Sequence, residues 1–228
     1  RLVLDCSLLG ENAYLVLQRE EEFKNSNMET VIKTMTGLAD ICYFSARKLS
    51  SSRGGGICTD SLEIFRELEA FVPLYEGFLT YGGMSIREVE AMAVGLYETL
   101  DETIISQSPT FIKYLVEQLD NKGIPVIKPA GVLGVHVDAM QVCAHIPQTQ
   151  YPAGALAAAL FLISGIRGME RGSISNQRDE YGNETYADME LVRLAVPRRV
   201  FTLSQIKYVE DRMTWLYQNR ELIGGLKF

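Results

Sequence analysis

Short β-prone runs alternate with longer stretches of helical period along this chain, which restricts it to an α/β architecture with helices covering a sheet. Leu2-Val-Leu, Ile41 to Ser45 and Gly55 to Thr59 read as strands, the first as a buried one. The last two flank a glycine-rich turn and are expected to pair. Helices are expected over Met28 to Met35 with Asn27 or Ser26 as N-cap, over Ser61 to Phe71, over Ile86 to Leu100 behind Ser85, and over Thr110 to Asn121 ahead of Gly123. Val89, Met92, Ala93, Leu96 and Leu100 form one apolar stripe on the third of these. Further on, Pro125-Val-Ile, Gly134 to Asp138, Arg167 to Ile174 and Glu190 to Ala195 read as strands, with Pro125-Val-Ile adjacent to Gly134 to Asp138. Ala153 to Ser164 and Val200 to Asn219 read as helices, the latter capped by Thr202. This change of texture divides the chain into a large-domain portion, 1–107, and a smaller α+β domain, 108–228.

With 228 residues, 47% of them hydrophobic, the chain is long enough for a sizeable core. A net charge of −7 with dispersed basic residues argues against nucleic acid or an anionic membrane as partner. Cys6, Cys42, Cys58 and Cys143 stand among apolar residues without a CxxC spacing, and only His136 and His145 accompany them. Buried free thiols in a reducing, cytoplasmic compartment are therefore expected, with no metal site. The chain begins inside a strand that reads as buried, without a start methionine, and stops on apolar residues, so both ends read as cuts through a longer polypeptide.

Chemistry concentrates at two places. Asp5 ends the first strand, and Lys48 follows the second in Ser45-Ala-Arg-Lys48. Ligands of open α/β sheets bind at strand C-terminal ends. By itself Asp5 reads equally as a turn or cap residue, and Lys48 as a surface lysine. Together they suit the two poles of pyridoxal phosphate (PLP): an amine for the aldehyde and a carboxylate for the ring nitrogen. Ser45 offers a hydroxyl to the phosphate and Arg47 a fixed positive charge. The second place is Arg193, inside the apolar run Leu191-Val-Arg-Leu-Ala-Val196, which calls for an anion: a substrate carboxylate or a structural acid. Arg171 reads as a second buried arginine with the same two options.

Glu11-Asn-Ala-Tyr14 after Asp5, Ser45-Ala-Arg-Lys48, Tyr75-Glu-Gly-Phe-Leu-Thr-Tyr-Gly-Gly83, Glu90-Ala-Met-Ala-Val-Gly95, Met169-Glu-Arg-Gly172 and Val192-Arg-Leu-Ala-Val-Pro-Arg-Arg199 occur in one order along the chain. That order resembles the β-eliminating lyases, the family of tyrosine phenol-lyase and tryptophanase. Gly225-Leu-Lys-Phe228 resembles the family's approach to its C-terminus, and the chain corresponds to its C-terminal half to two-thirds. The resemblance implies a fold-type-I, aspartate aminotransferase-like PLP enzyme, a homotetramer (a dimer of dimers) that uses potassium or a similar monovalent cation. It implies Lys48 as the cofactor lysine, Asp5 as the pyridinium partner, Ser45 as a phosphate ligand and Arg193 as the holder of the substrate carboxylate. Arg171 is implied to recognise a phenol ring, and Phe78 joins both arginines as a substrate-binding residue. Leu8, Leu133 and Leu49 stand where the family carries an arginine, a histidine and an aspartate. The implied reaction is β-elimination from an aromatic or S-substituted amino acid, giving pyruvate and ammonia. A carbon–sulfur lyase of the same fold and a catalytically impaired accessory domain are the alternatives.

Overall fold

The structure, a computed structural model, describes residues 1–227; Phe228, which closes the Gly225–Phe228 motif, lies outside them. The chain divides into two compact units, residues 1–107 and the remainder from Ser108.

In the first unit, β1 (Val3–Asp5), β2 (Ile41–Ser45) and β3 (Gly55–Cys58) form a sheet in that order. β1 and β2 are parallel with Asp5 opposite Tyr43, while β2 and β3 are antiparallel with Ser45 opposite Gly55 and Cys42 opposite Cys58. A parallel pair needs a crossover. It is supplied by α1 (Leu9–Arg19), an element with no sequence expectation, and α2 (Met28–Thr36), whose N-cap Asn27 accepts from Thr30 N–H. The crossover brings the C-terminal tips of β1 and β2 to one edge.

α3 (Ala46–Leu49) starts directly at Ser45, and the return to β3 passes through Gly54 at φ +91°. A Cβ at Gly55 would lie 2.5 Å from the backbone oxygen of Phe44, so β3 approaches β2 this closely only with glycine there. Leu49 is buried with Cys6 and Leu9, which explains an apolar residue immediately after Lys48.

Four helices follow: α4 (Leu62–Glu69), α5 (Val72–Tyr75), α6 (Ile86–Glu98) and α7 (Glu102–Ile105). Ser85 and Glu88 form the reciprocal cap at the start of α6. The expected apolar stripe does not become a buried face, since Val89 and Leu100 are exposed and only Gly95 of the helix is buried. α6 instead meets the lysine loop backbone to backbone: a Cβ at Gly95 would collide with Ser50 O. Leu2 and Val3 are likewise 55% and 53% exposed rather than buried. Cys58 is exposed, contrary to expectation.

The second unit contains α8 (which begins one residue earlier, Gln107–Asn121), β4 (Gly134–Asp138), α9 (Ala139–Val142), α10 (Pro152–Ser164), β5 (Met169–Arg171), β6 (Leu191–Ala195) and α11 (Leu203–Gln218). The sheet is antiparallel in the order β4-β6-β5. Alternation sorts its two faces. Val135, Val137, Val192 and Leu194 bury against Ile112, Leu115 and Leu119 of α8, Leu156 and Leu160 of α10, and Ile206 and Met213 of α11. Of Pro125-Val-Ile, only Val126 bridges to β4, opposite Val137. β5 is shorter than expected because Ser173 N–H leaves the ladder and donates to the Glu190 carboxylate at 2.9 Å.

Candidate active site

Asp5 and Lys48 are brought together by the parallel pairing of β1 and β2. Asp5 Oδ1 accepts from Ser7 N–H at 2.9 Å, the turn geometry expected of an aspartate after a strand. The Ser7 hydroxyl and backbone hold the Asp5 carboxyl below its usual range, with smaller help from the Tyr43 hydroxyl and the Lys48 charge. Asp5 thus acts as a turn residue and also faces Lys48 electrostatically. The Tyr43 hydroxyl is pushed up in turn, mainly by the Asp5 charge.

Ser7 also joins the two strand tips. Its Oγ accepts from Ser45 N–H at 3.1 Å. The Ser45 hydroxyl makes no capping bond to α3, which suits it to an external oxygen. Lys48 and Arg47 are exposed on α3, while the flanking Ala46 and Leu49 are buried. The loop beyond is braced from α6, where Thr99 Oγ1 donates to Leu49 O at 2.9 Å. The residues present fit PLP chemically: an ionised carboxylate, an amine that perturbs it, and an uncommitted hydroxyl at one sheet edge.

Phe78 is exposed, its ring 5.5 Å from that of Tyr81 and tilted to it by 41°. It lines a surface cavity of about 450 Å³ with Pro73, Gly77, Leu79 and Thr80, which includes none of Asp5, Ser45, Arg47 and Lys48.

Arg193 and Arg171 belong to the second unit. β6 turns Arg193 away from the core, opposite both His136 of β4 and Met169 of β5. Its Nε is buried without a partner, and its Nη2 lies 2.8 Å from Met169 Sδ. Arg171, two residues along β5, is exposed rather than buried. Neither arginine forms an ion pair among the described residues. Burial, then the Arg171 charge, lowers the Arg193 pKa. This face has the composition of an anion receptor.

The chain matches the family model for the β-eliminating lyases over residues 1–212. It belongs to that family.

Curated β-eliminating lyases similar to it include a tyrosine phenol-lyase of Lacrimispora saccharolytica, 38% identical over 100% of this chain and 49% of the relative. A tryptophanase of Salinibacter ruber is 41% identical over 91% of this chain and 44% of the relative. The chain therefore spans about half the length of such relatives. Among solved structures, a serine palmitoyltransferase of S. paucimobilis with PLP bound aligns with TM-score 0.55 and 14% identity, over 87% of this chain and 45% of that one. The enzyme of the same name from Sphingomonas wittichii aligns at TM-score 0.54 and 12% identity, over 85% and 44%. The β-eliminating lyase chain thus has the α/β fold of fold-type-I PLP enzymes.

Three residues of this geometry escaped the sequence reading: Ser7, Tyr43 and His136. The Asp-x-Ser spacing of an Asx turn pointed to Ser7. Alternation in Cys42-Tyr-Phe44 and Val135-His-Val137 placed Tyr43 and His136 opposite the apolar faces. No helix among the described residues is long and apolar enough to cross a membrane, and no cluster of three metal-ligating side chains occurs among them.

Proposed function

We propose that the polypeptide containing this chain is a PLP-dependent lyase acting on an aromatic amino acid in the manner of a tyrosine phenol-lyase. The reaction removes the Cα proton, expels the β-substituent in protonated form, and consumes one water to leave pyruvate and ammonia. The supporting observation is the pairing of Asp5 and Lys48 at adjacent strand tips, in a chain matched to the β-eliminating lyases along nearly its whole length.

Bound PLP would supply an electron sink for the charge left at Cα. Asp5, held ionised by its neighbours, would accept a hydrogen bond from the ring nitrogen and keep the proton there. Lys48 Nζ would be the amine that holds the aldehyde and the base that takes the Cα proton. The Ser45 hydroxyl and the Arg47 charge would hold phosphate oxygens. Arg193 grips the α-carboxylate and so fixes the orientation of the Cα–H bond, with Arg171 on the same sheet face for the side chain. A thiolate-releasing variant of this chemistry is favoured by Leu8, which places an apolar residue at the start of α1 where the family carries an arginine.

The full-length protein reconstituted with PLP should show a visible absorption band that borohydride bleaches, and Lys48→Ala should lack it. Release of phenol, indole or sulfide from a short amino-acid panel then identifies the leaving group. A bleachable band that persists in Lys48→Ala overturns the assignment.

A further inference from the structure

His136 is the group on the arginine face that the proposed reaction leaves unused. It stands directly opposite Arg193 in the β4–β6 register, with Met169 opposite on the other side, so imidazole, guanidinium and thioether form one row. The next row along the same face carries Asp138, Leu191 and Arg171. Asp138 is committed elsewhere, accepting from Gln141 N–H at 3.1 Å and Gln141 Nε2 at 2.6 Å. On the outer edge of β4 the approach is backbone, Ile127 N–H donating to His136 O at 2.9 Å, and the nearby Lys128 is paired with Asp120. The face thus gathers two guanidinium groups and an imidazole without a carboxylate free to balance them, around a buried Arg193 Nε that lacks an acceptor.

We infer that His136 is a specificity-determining residue, its ring N–H sharing with Arg193 the carboxylate of an amino-acid substrate so that two adjacent strands grip one anion. This rests on the reading of Arg193 as the carboxylate holder. A neutral imidazole donates one hydrogen bond to a carboxylate oxygen, while the guanidinium donates to both. Burial, with Arg193 and Arg171 close by, disfavours the imidazolium in the empty site. A bound carboxylate offsets the two positive neighbours and restores the proton. Binding is therefore tighter at acid pH and takes up a proton there.

The test uses the full-length PLP-loaded protein with L-alanine, which has no leaving group, titrated calorimetrically near pH 6 and pH 8 in buffers of different ionisation enthalpy. His136→Phe should weaken binding roughly tenfold at the lower pH, the worth of one hydrogen bond to a charged group, and abolish the extra proton uptake. His136→Gln, which keeps a neutral donor, should retain affinity at pH 8 and lose only the gain at pH 6. Arg193→Lys should weaken binding at both. Unchanged affinity and proton count in His136→Phe, with Arg193→Lys still weakened, overturns the inference and leaves the carboxylate reading standing. Unchanged binding in Arg193→Lys removes that reading and the inference with it. Thermal melts of each variant separate these outcomes from misfolding.

Discussion

The Ser7 Oγ accepts from Ser45 N–H at 3.1 Å while Ser7 N–H donates to Asp5 Oδ1 at 2.9 Å, so one buried serine couples the strand tips that carry the carboxylate and the lysine loop. The sheet ladder alone would set only their spacing. Ser7 sets the direction in which Asp5 points.

Ser7→Ala should therefore cost about 1–2 kcal/mol in urea unfolding, because Ser45 N–H loses its acceptor and Asp5 a donor. The Asp5 carboxyl should titrate closer to its ordinary range in this variant. Its lowered folded pKa contributes stability above its unfolded value, lost as pH falls through the folded one. Carboxyl NMR titration checks this, and an unshifted Asp5 would show that Ser7 is not the cause.

Gly95→Ala should destabilise the protein by roughly 1–3 kcal/mol, although alanine ordinarily favours a helix. The added Cβ collides with Ser50 O, a backbone atom that cannot rotate aside. Thermal melting reads the loss.

Glu190 is wholly buried, and its Oε1 accepts from Ser173 N–H at 2.9 Å and from the Ser173 hydroxyl, while Oε2 has no partner. Glu190→Gln keeps an acceptor for the Ser173 donors, so its denaturation midpoint should stay close to that of the parent. Glu190→Ala strands the Ser173 donors and should lose about 1–3 kcal/mol. Equal loss in both variants would mean that an acceptor alone does not suffice.

Native alkylation at neutral pH should reach Cys58 first, because it is exposed, although burial pushes its thiol up as well. Burial pushes the Cys6 thiol up to about 12 and that of Cys143 to about 11, so both stay protonated and covered. Peptide mapping after iodoacetamide treatment should find Cys6 and Cys143 labelled only once the protein is unfolded.

Because the folded pKa of His136 is lowered, the unfolded chain binds the extra proton. The stability is fully present above the unfolded value of 6.5 and falls as pH drops below it towards the folded pKa. Denaturation midpoints across that window should decline less in His136→Phe.

The sequence determined the elements and much of the chemistry. Alternation and period are local, so β2, α2, α8 and α11 stand close to their expected limits, and the Lys48 loop between β2 and β3 followed from its glycines. Residue types alone singled out Asp5, Lys48 and Arg193. Only tertiary structure decided what covers what. The α6 stripe read as core, yet helical period reports a face and not its neighbour, and the contact that formed was at Gly95. Strand register, set by non-local hydrogen bonds, put His136 beside Arg193 although 57 positions separate them in the chain (193 − 136). The same long-range pairing linked Ser7 to Ser45, a contact between loop ends that no periodicity encodes.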